Sequence, residues 1–83
     1  MKDETMFFEI SEKDKKLKDN IRIVYQSLEE KGYNPINQII GYILSGDPTY
    51  ITIHNNARKI IQEINRDELL QDMVQQFFNG DRV

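Results

Sequence analysis

The side chains that most often carry catalysis are sparse in this sequence. Its single histidine, His54, precedes two asparagines near an expected helix start, where a capping or surface role is the ordinary interpretation. The carboxylate pairs Glu29-Glu30 and Asp67-Glu68 are sequence neighbours, and neighbours on a helix do not face each other. The 4 glycines stand singly, so they form no phosphate-binding loop. We therefore expect no catalytic residues and no enzyme.

Metal and cofactor chemistry also lacks the residues that it requires. Cysteine is absent, which excludes disulfides and thiolate metal sites. One histidine cannot build a zinc site unless several carboxylates arrive from elsewhere in the fold. We expect neither a metal nor a cofactor.

Thr5 is the first residue with potential regulatory chemistry. It lies in an acidic opening segment, next to Met6-Phe7-Phe8. A hydroxyl in a flexible tail is accessible to a kinase, and a phosphate there would add about −1.5 to −2 charge. The segment is either an ordinary terminal peptide or a docking peptide, because two adjacent phenylalanines are costly to leave exposed.

Arg58, Lys59 and Arg66 are the second candidate set. The first two lie off the apolar stripe of their helix, and Arg66 shares a face with Arg58 if that helix continues. Either the three residues solvate an outer face, or they form a small basic patch for an acidic partner or a phosphate. Together with Phe7 they are the candidate partner-binding residues.

Composition limits the classes of partner. The formal charge is −3, from 11 Lys+Arg against 14 Asp+Glu. A nucleic-acid binder would show a clustered basic excess, so we expect no nucleic-acid partner. No apolar run reaches about 18 residues, so we expect no membrane insertion. The opening residues lack the apolar stretch of a secretory signal, which predicts a cytoplasmic protein.

The positions of these residues depend on helices. We expect a flexible regulatory tail over 1–12, a helical domain over 13–80 and a short C-terminal tail over 81–83. The first helix would begin near Glu12 with Ser11 as N-cap and end at Gly32. Four apolar residues at helical spacing mark its inner face: Leu17, Ile21, Val24 and Leu28.

Asn34-Pro35 caps and starts the second helix. Its apolar positions are Ile36, Ile39, Ile40, Ile43 and Leu44, with Tyr42 bordering them. Gly41 inside this helix is either tolerated at about 1 kcal/mol or required by the close approach of another helix. After Ser45-Gly46-Asp47-Pro48, residues 49–53 alternate like a strand, but a single strand has no partner, so we predict a helical turn and a loop.

A third helix opens at His54-Asn55-Asn56 and carries Ala57, Ile60, Ile61 and Ile64. Asn65 resembles a cap with Glu68 three residues later, although the helix could also continue. The last helix bears Leu69, Leu70, Met73, Val74 and Phe77 and ends at Asn79-Gly80. The fold class is all-α, a compact bundle of about four to five short helices.

A core of this size is small. A chain of 83 residues buries only about 60% of its extended surface. Without disulfides or a metal, self-association is the expected supplement to stability. We therefore predict a homodimer.

The sequence resembles the IreB/ReoM family of small Firmicutes proteins over nearly its whole length. The resemblance rests on Asp3-Glu4-Thr5-Met6-Phe7-Phe8, on the long run from Lys31 to Ile51, and on three later matches: His54, Ala57-Arg58 and Arg66-Asp67-Glu68. The central run is long and unusual, which makes the match specific.

This resemblance implies an all-helical, homodimeric substrate of a membrane serine/threonine kinase and its phosphatase. Such proteins regulate cell-wall synthesis and antibiotic tolerance. Their unphosphorylated form promotes Clp-protease destruction of the enolpyruvyl transferase that begins peptidoglycan precursor synthesis, and phosphorylation relieves this action. The family phospho-acceptor precedes a Met-aromatic pair, and the matching residue here is Thr5.

The sequence departs from the family in one region. Family members commonly carry Pro-Arg after the Tyr-Ile and an Arg pair before the final Arg-Asp-Glu, whereas this chain has Thr52-Ile53 and Gln62-Glu63. The missing cations weaken any electrostatic contact there. The alternative function is a small helix-turn-helix-like nucleic-acid-binding regulator, against which the acidic balance argues.

Overall fold

The computed structural model describes the backbone of residues 2–81 and the side chains of residues 15–79. Within this range the chain forms four α-helices and no strand. They are α1 (Lys2–Glu30), α2 (Pro35–Ser45), α3 (Ala57–Gln62) and α4 (Arg66–Asp81). Two 3₁₀ turns, Pro48–Tyr50 and His54–Asn56, lie between α2 and α3. The all-α prediction is confirmed, although α1 is a long helix of 29 residues.

The start of α1 differs from the prediction. The helix begins at Lys2 and passes through Ser11, so Ser11 is not its N-cap. The physical reason is that no glycine or proline precedes Gly32, and nothing in residues 2–12 therefore stops a helix. The flexibility predicted for 1–12 stays a prediction. Residues 82 and 83 of the predicted C-terminal tail lie outside the described range.

The core lies where α1, α2 and α3 meet. Its buried members are Val24, Leu28, Ile39, Tyr42, Ile51, Ala57 and Ile61. Ile21, Ile43, Ile60 and Met73 pack against them as partly buried residues. The inner faces predicted for α1 and α3 are confirmed, because the 3.6-residue period places these positions on one side of each helix.

Local capping fixes the path between α1 and α2. Gly32 has a φ of 85°, a conformation that glycine adopts without steric cost. Asn34 then caps α2, because its Oδ1 accepts a hydrogen bond from Asn37 N at 3.1 Å. At the far end of α2, Gly46 has a φ of 75° and donates its N–H to Tyr42 O. The predicted residues at the start and at the end of α2 are therefore confirmed.

Gly41 provides the close approach considered from the sequence, but the neighbour is a turn and not another helix. A Cβ at Gly41 would lie 2.5 Å from Cε1 of Tyr50. Gln38 Nε2 also donates to Tyr50 O at 2.9 Å. The turn Pro48–Tyr50 thus packs directly on α2, and residues 49–53 form a turn and loop as predicted.

The question of a break near Asn65 is resolved. α3 ends at Gln62 and α4 begins at Arg66. Asn65 Oδ1 accepts hydrogen bonds from Asp67 N at 2.8 Å and Glu68 N at 3.2 Å, which makes Asn65 the cap of α4. Arg58 and Arg66 consequently lie on two separate helices.

Two helices, α2 and α4, carry large apolar residues that are exposed. In α2 the exposed residues are Ile36, Ile40 and Leu44, the last with 79% of its surface accessible. In α4 they are Leu70, Val74, Phe77 and Phe78, whereas Leu69 is buried. The apolar residues predicted for each of these helices are therefore not all buried. Each helix contacts the core along only a narrow line, because few elements surround it.

Candidate functional site

Thr5 and Phe7 belong to the N-terminal part of α1 by their backbone. Their side chains lie outside the described residues. The roles predicted for them, phosphorylation and partner binding, therefore stay predictions.

Arg58 secures the segment that precedes α3. Its Nε donates a hydrogen bond to Ile51 O at 2.8 Å, and its backbone N–H donates to Thr52 O at 3.0 Å. The side chain is partly buried. The physical effect is to hold the loop residues 51 and 52 against the start of α3, so Arg58 has a structural contact as well as a charge.

Arg66 secures the end of α2. Its guanidinium donates to Ile43 O at 2.9 Å, one of the last carbonyls of that helix. A Cβ at Gly46 would lie 3.0 Å from the same guanidinium. A cation at a helix C-terminus satisfies an otherwise unpaired carbonyl and complements the helix dipole. Arg66 therefore links α4 to the end of α2, and its guanidinium packs against Gly46.

The three predicted cations do not form one helical face. Lys59 is exposed on α3, and the two arginines hold opposite ends of the α2–α3 connection. Each guanidinium has five N–H donors, so one bond to a carbonyl leaves further donors for a ligand. The arrangement permits contact with an acidic partner at separate points.

Asp47 is the described carboxylate whose pKa is clearly displaced. Hydrogen bonds from the backbone N–H and the hydroxyl of Thr49 lower the pKa of Asp47, and the charge of Arg58 adds a smaller effect in the same direction. Thr49 N lies 3.0 Å and Thr49 Oγ1 lies 2.7 Å from Asp47 Oδ1. Asp47 thus caps the turn Pro48–Tyr50 as an ionised group.

A polar cluster that sequence reasoning missed joins the end of α1 to the turn His54–Asn56. His54 Nε2 lies 2.7 Å from Glu30 Oε1. Asn55 Nδ2 donates to Ser27 Oγ at 3.2 Å and to Glu30 Oε1 at 3.3 Å. Asn55 and Asn56 both have positive φ, 56° and 60°. The one available signal was the Asn-Asn pair, since asparagine is enriched in left-handed backbone.

A shallow groove of about 340 Å³ runs between α1 and α4, and we call it the α1–α4 groove. Its apolar lining consists of Ile21, Tyr25, Leu69 and Met73. Its charged lining consists of Lys18, Arg22 and Asp72. The volume lies in the lower part of the range of ligand clefts, about 300–1,000 Å³. The sequence does not indicate this groove, because the residues of its two walls are 44 or more positions apart.

Two other kinds of site are absent from the described part of the chain. No helix there is both long enough and apolar enough to span a bilayer. No group of three or more histidine, cysteine or acidic residues there is arranged to hold a metal ion.

Known proteins similar to this chain share most of its length. A family model described as IreB regulatory phosphoprotein matches residues 3–79. A protein named UPF0297 protein from Ruminiclostridium cellulolyticum is 56% identical over 72 residues, which is 86% of this chain and 82% of the relative. A UPF0297 protein from Lachnoclostridium phytofermentans is 56% identical over 64 residues, 77% of this chain and 73% of the relative.

Proposed function

The chain belongs to the IreB family of regulatory phosphoproteins, and from this we propose that it is a cytoplasmic, phosphorylation-switched adaptor that controls peptidoglycan precursor synthesis. The family is one of regulators and not of enzymes. In the proposed mechanism the unphosphorylated protein promotes Clp-dependent turnover of the UDP-N-acetylglucosamine enolpyruvyl transferase. Phosphorylation relieves that turnover and so raises tolerance of cell-wall antibiotics.

One observation carries the proposal: the family match begins at residue 3 and therefore includes Thr5. Thr5 precedes Met6-Phe7, the Met-aromatic pair that marks the family acceptor. We assign Thr5 as the residue modified by a membrane serine/threonine kinase and restored by its phosphatase. The kinase would transfer a phosphoryl group from a nucleoside triphosphate to the Thr5 hydroxyl, which loses its proton, and the nucleoside diphosphate would leave. The modification adds negative charge and hydrogen-bond acceptors at Thr5.

The remaining contacts are proposed to belong to the helical body. The chain would act as a homodimer, and the exposed apolar residues of α2 and α4 provide surfaces that a second copy or a target can cover. Arg58, Lys59 and Arg66 would contact acidic groups of the transferase or of a Clp component. Each is accessible enough to do so, and neither arginine would have to leave its carbonyl.

The nucleic-acid alternative finds less support in the described residues. A recognition helix needs several basic side chains directed at one groove. α3 has 6 residues, and its Arg58 is already bound to Ile51 O. We therefore treat salt-sensitive DNA binding as an outcome that would contradict the proposal.

The proposal is tested with Thr5→Ala in cells that contain the kinase. Without the acceptor hydroxyl the protein stays in its unphosphorylated, active state. We expect the level of the enolpyruvyl transferase to fall and sensitivity to cell-wall antibiotics to rise, as measured by immunoblot and growth inhibition.

Ser11→Ala is the matched control, because it removes a hydroxyl from the same segment. It should leave both the transferase level and the antibiotic sensitivity unchanged. Phosphosite mapping by mass spectrometry should place the phosphate on Thr5 in wild type and in Ser11→Ala. Normal transferase levels in Thr5→Ala cells would contradict the mechanism.

A further inference from the structure

Two exposed rows of apolar side chains lie on α2 and α4. The row on α2, which we call the α2 ridge, consists of Ile36, Ile40 and Leu44. The row on α4, which we call the α4 ridge, consists of Leu70, Val74 and Phe78, with Phe77 beside it. Residues four apart form a ridge along a helix, and such ridges pack into the grooves between the ridges of a neighbouring helix. Each row therefore has the spacing of a helix-packing surface, although it is exposed in the single chain.

α4 also carries a groove of the kind that such a ridge fills. An open groove of about 650 Å³ on this helix is lined by Asp67, Leu70, Gln71, Val74 and Gln75. We call it the outer groove of α4. Positions 67, 71 and 75 form one row at four-residue spacing, and positions 70, 74 and 78 form the next row. The outer groove therefore runs between two neighbouring ridges of α4.

The polarity of α2 limits which surface can cover it. None of its 11 residues carries a charge. A partner face rich in charged groups would lose water there without gaining ion pairs. The outer groove of α4 is lined by a leucine, a valine and two glutamines, with Asp67 as its one carboxylate. Because Asp67 is exposed in the first turn of α4, it can stay in water while the α2 ridge enters the groove.

We propose that the α2 ridge of one copy packs into the outer groove of α4 in a second copy, and that the second copy makes the same contact in return. Two-fold symmetry generates this pair of contacts and closes the assembly as a dimer. The two ridges match in length, because each spans about 12 Å at 1.5 Å per residue. Packing of this class gives a crossing angle of about −50° between the helices. This inference rests on the proposed function, since it gives the proposed homodimer a specific interface.

The occupant comes from a second copy because α4 is already held in place within its own chain. Leu69 is buried, and Met73 packs against the core. Arg66 donates to Ile43 O at 2.9 Å, which fixes the first turn of α4 beside the end of α2. With α4 held in this way, both ridges are still exposed. A second molecule can cover both without moving either helix.

The exposed area agrees with what a stable dimer needs. The 7 apolar side chains of the two ridges and Phe77 are each between 47% and 79% exposed. At about 100 Å² for a half-exposed large side chain, they present about 700 Å² per copy. Each partner of a standard interface buries about 800 Å². Self-pairing of α2 alone would leave the α4 ridge in water, whereas the reciprocal contact covers both ridges.

Phe77 and Phe78 form a preorganised end of this contact. Their ring centroids are 5.2 Å apart and their planes are at 85° to each other, which is the edge-to-face arrangement. Aromatic side chains ordered in this way lose little rotational freedom on binding, and they are enriched at the centres of protein interfaces. The two rings therefore favour a protein surface as the occupant.

The test uses the full chain, whose lack of cysteine allows single thiols at chosen positions. Ile40→Cys at natural isotope abundance is mixed with ¹⁵N-labelled Val74→Cys and treated with a short bifunctional thiol reagent. Mass spectrometry then separates cross-linked pairs of one light and one heavy chain from pairs of equal chains. We expect the mixed pairs to exceed the equal pairs about tenfold, as for a preference of about 1.4 kcal/mol.

Gln62→Cys, at an exposed position of α3, is the matched control and should form few pairs with Val74→Cys. Mixed pairs no more abundant than equal pairs would overturn the reciprocal contact. Absence of cross-linked pairs would overturn it as well.

Complementary charges test the same contact without thiols. Ile40→Lys and Val74→Glu alter exposed side chains, so both variants should fold, as circular dichroism verifies. Each should weaken self-association about tenfold in sedimentation equilibrium, equivalent to about 1.4 kcal/mol. An equimolar mixture should recover association, because the mixed dimer has one unaltered contact and one contact between opposite charges. Weakening by only one of the variants, or weakening that the mixture does not relieve, would overturn the proposal.

Failure of this inference is distinguishable from failure of the proposed function. Cross-linking and sedimentation need neither the kinase nor the transferase, whereas the proposed function depends on modification of Thr5. A wild-type protein that sediments as a dimer, while its cysteine variants give no mixed pairs, would overturn the interface alone. A wild-type protein that sediments as a monomer would overturn both the interface and the proposed homodimer.

Discussion

At the scale of single residues, two arginines hold other parts of the backbone in place, Arg58 a loop and Arg66 the end of a helix. Arg58 binds the carbonyl of Ile51 and Arg66 binds that of Ile43, so each cation stabilises a backbone turn that apolar packing alone does not cover. From the sequence, the same two residues and Lys59 are predicted either to solvate an outer face or to form a small basic patch. Their positive charge remains available at the surface, but their geometry is determined by the carbonyls.

Replacing Arg66 by alanine removes the bond to Ile43 O and the packing of the guanidinium on Gly46. We expect the free energy of unfolding to fall by about 1 kcal/mol, because the contact is exposed and hydrogen bonds of this kind contribute about 0.5–1.5 kcal/mol. Urea unfolding followed by circular dichroism measures the change. Lys59→Ala, at an exposed site, should change it by less than about 0.5 kcal/mol.

Gly41 offers a test in which local and tertiary effects have opposite signs. Alanine there would gain about 1 kcal/mol of helix propensity. Its Cβ would nevertheless lie 2.5 Å from the Tyr50 ring, so we expect a net loss of about 1–2 kcal/mol. In a Tyr50→Ala background the same substitution should stabilise the protein, and a double-mutant cycle of unfolding free energies measures this. Stabilisation in both backgrounds would show that the ring does not restrict Gly41.

Residue-level contacts were the least predictable part of the fold. The side chains of Asn34 and Asn65 accept hydrogen bonds from backbone N–H groups only two or three residues further along the chain. Such local caps can be predicted directly from a sequence. His54 and Glu30 are 24 positions apart, so nothing in the sequence indicates their pairing. The two residues after His54, Asn55 and Asn56, have left-handed backbone, and such a loop conformation depends on tertiary packing.

At the scale of elements, α4 depends on its cap. Asn65→Ala removes the acceptor for two backbone N–H groups at the helix start. We expect a loss of about 1 kcal/mol in the free energy of unfolding. Asn37→Ala in α2 is the matched control, since only the backbone N–H of Asn37 takes part in a cap. An equal loss in both variants would contradict the capping role of Asn65.

Phosphorylation of Thr5 should also act on α1 itself. Thr5 is the fourth residue of the helix, and negative charge near a helix N-terminus contributes about 0.3–1 kcal/mol. We expect amide hydrogen exchange over residues 5–12 to slow by about two- to fivefold after phosphorylation, since 1.4 kcal/mol corresponds to about tenfold. Thr5→Lys should accelerate exchange in the same region. Faster exchange in the phosphorylated protein would contradict this effect.

Helices were predictable where the period of the apolar residues agreed with the residues that start and end a helix. Gly32, Asn34 and Pro35 define the α1–α2 connection, and Gly46 defines the end of α2. The exposure of Ile36, Ile40 and Leu44 was not predictable, because an apolar helix looks the same whether the fold covers one side or two. The groove was missed for the same reason: it arises from the relative placement of α1 and α4.

At the scale of the whole molecule, the exposed apolar residues of α2 and α4 predict self-association. A dimer stabilised by mass action unfolds at higher temperature when it is more concentrated, and a hundredfold change corresponds to about 2.7 kcal/mol. We expect the thermal midpoint, measured by circular dichroism, to rise by several degrees. Ile40→Lys and Val74→Lys each alter one face, and the variant that removes the concentration dependence identifies the interface. A midpoint independent of concentration would contradict the dimer.

The length of α1 has a consequence for how the protein can be modified. The molecule measures 45 × 25 × 22 Å, and 29 residues at about 1.5 Å each account for its long dimension. Thr5 therefore lies near the N-terminal end of this long helix, far from the helices that pack around its C-terminal half. A kinase or phosphatase that acts there need not disturb the packed helices. Under the proposed function, phosphorylation and dephosphorylation of Thr5 are thereby separated from folding, and the same molecule could pass through many cycles of modification.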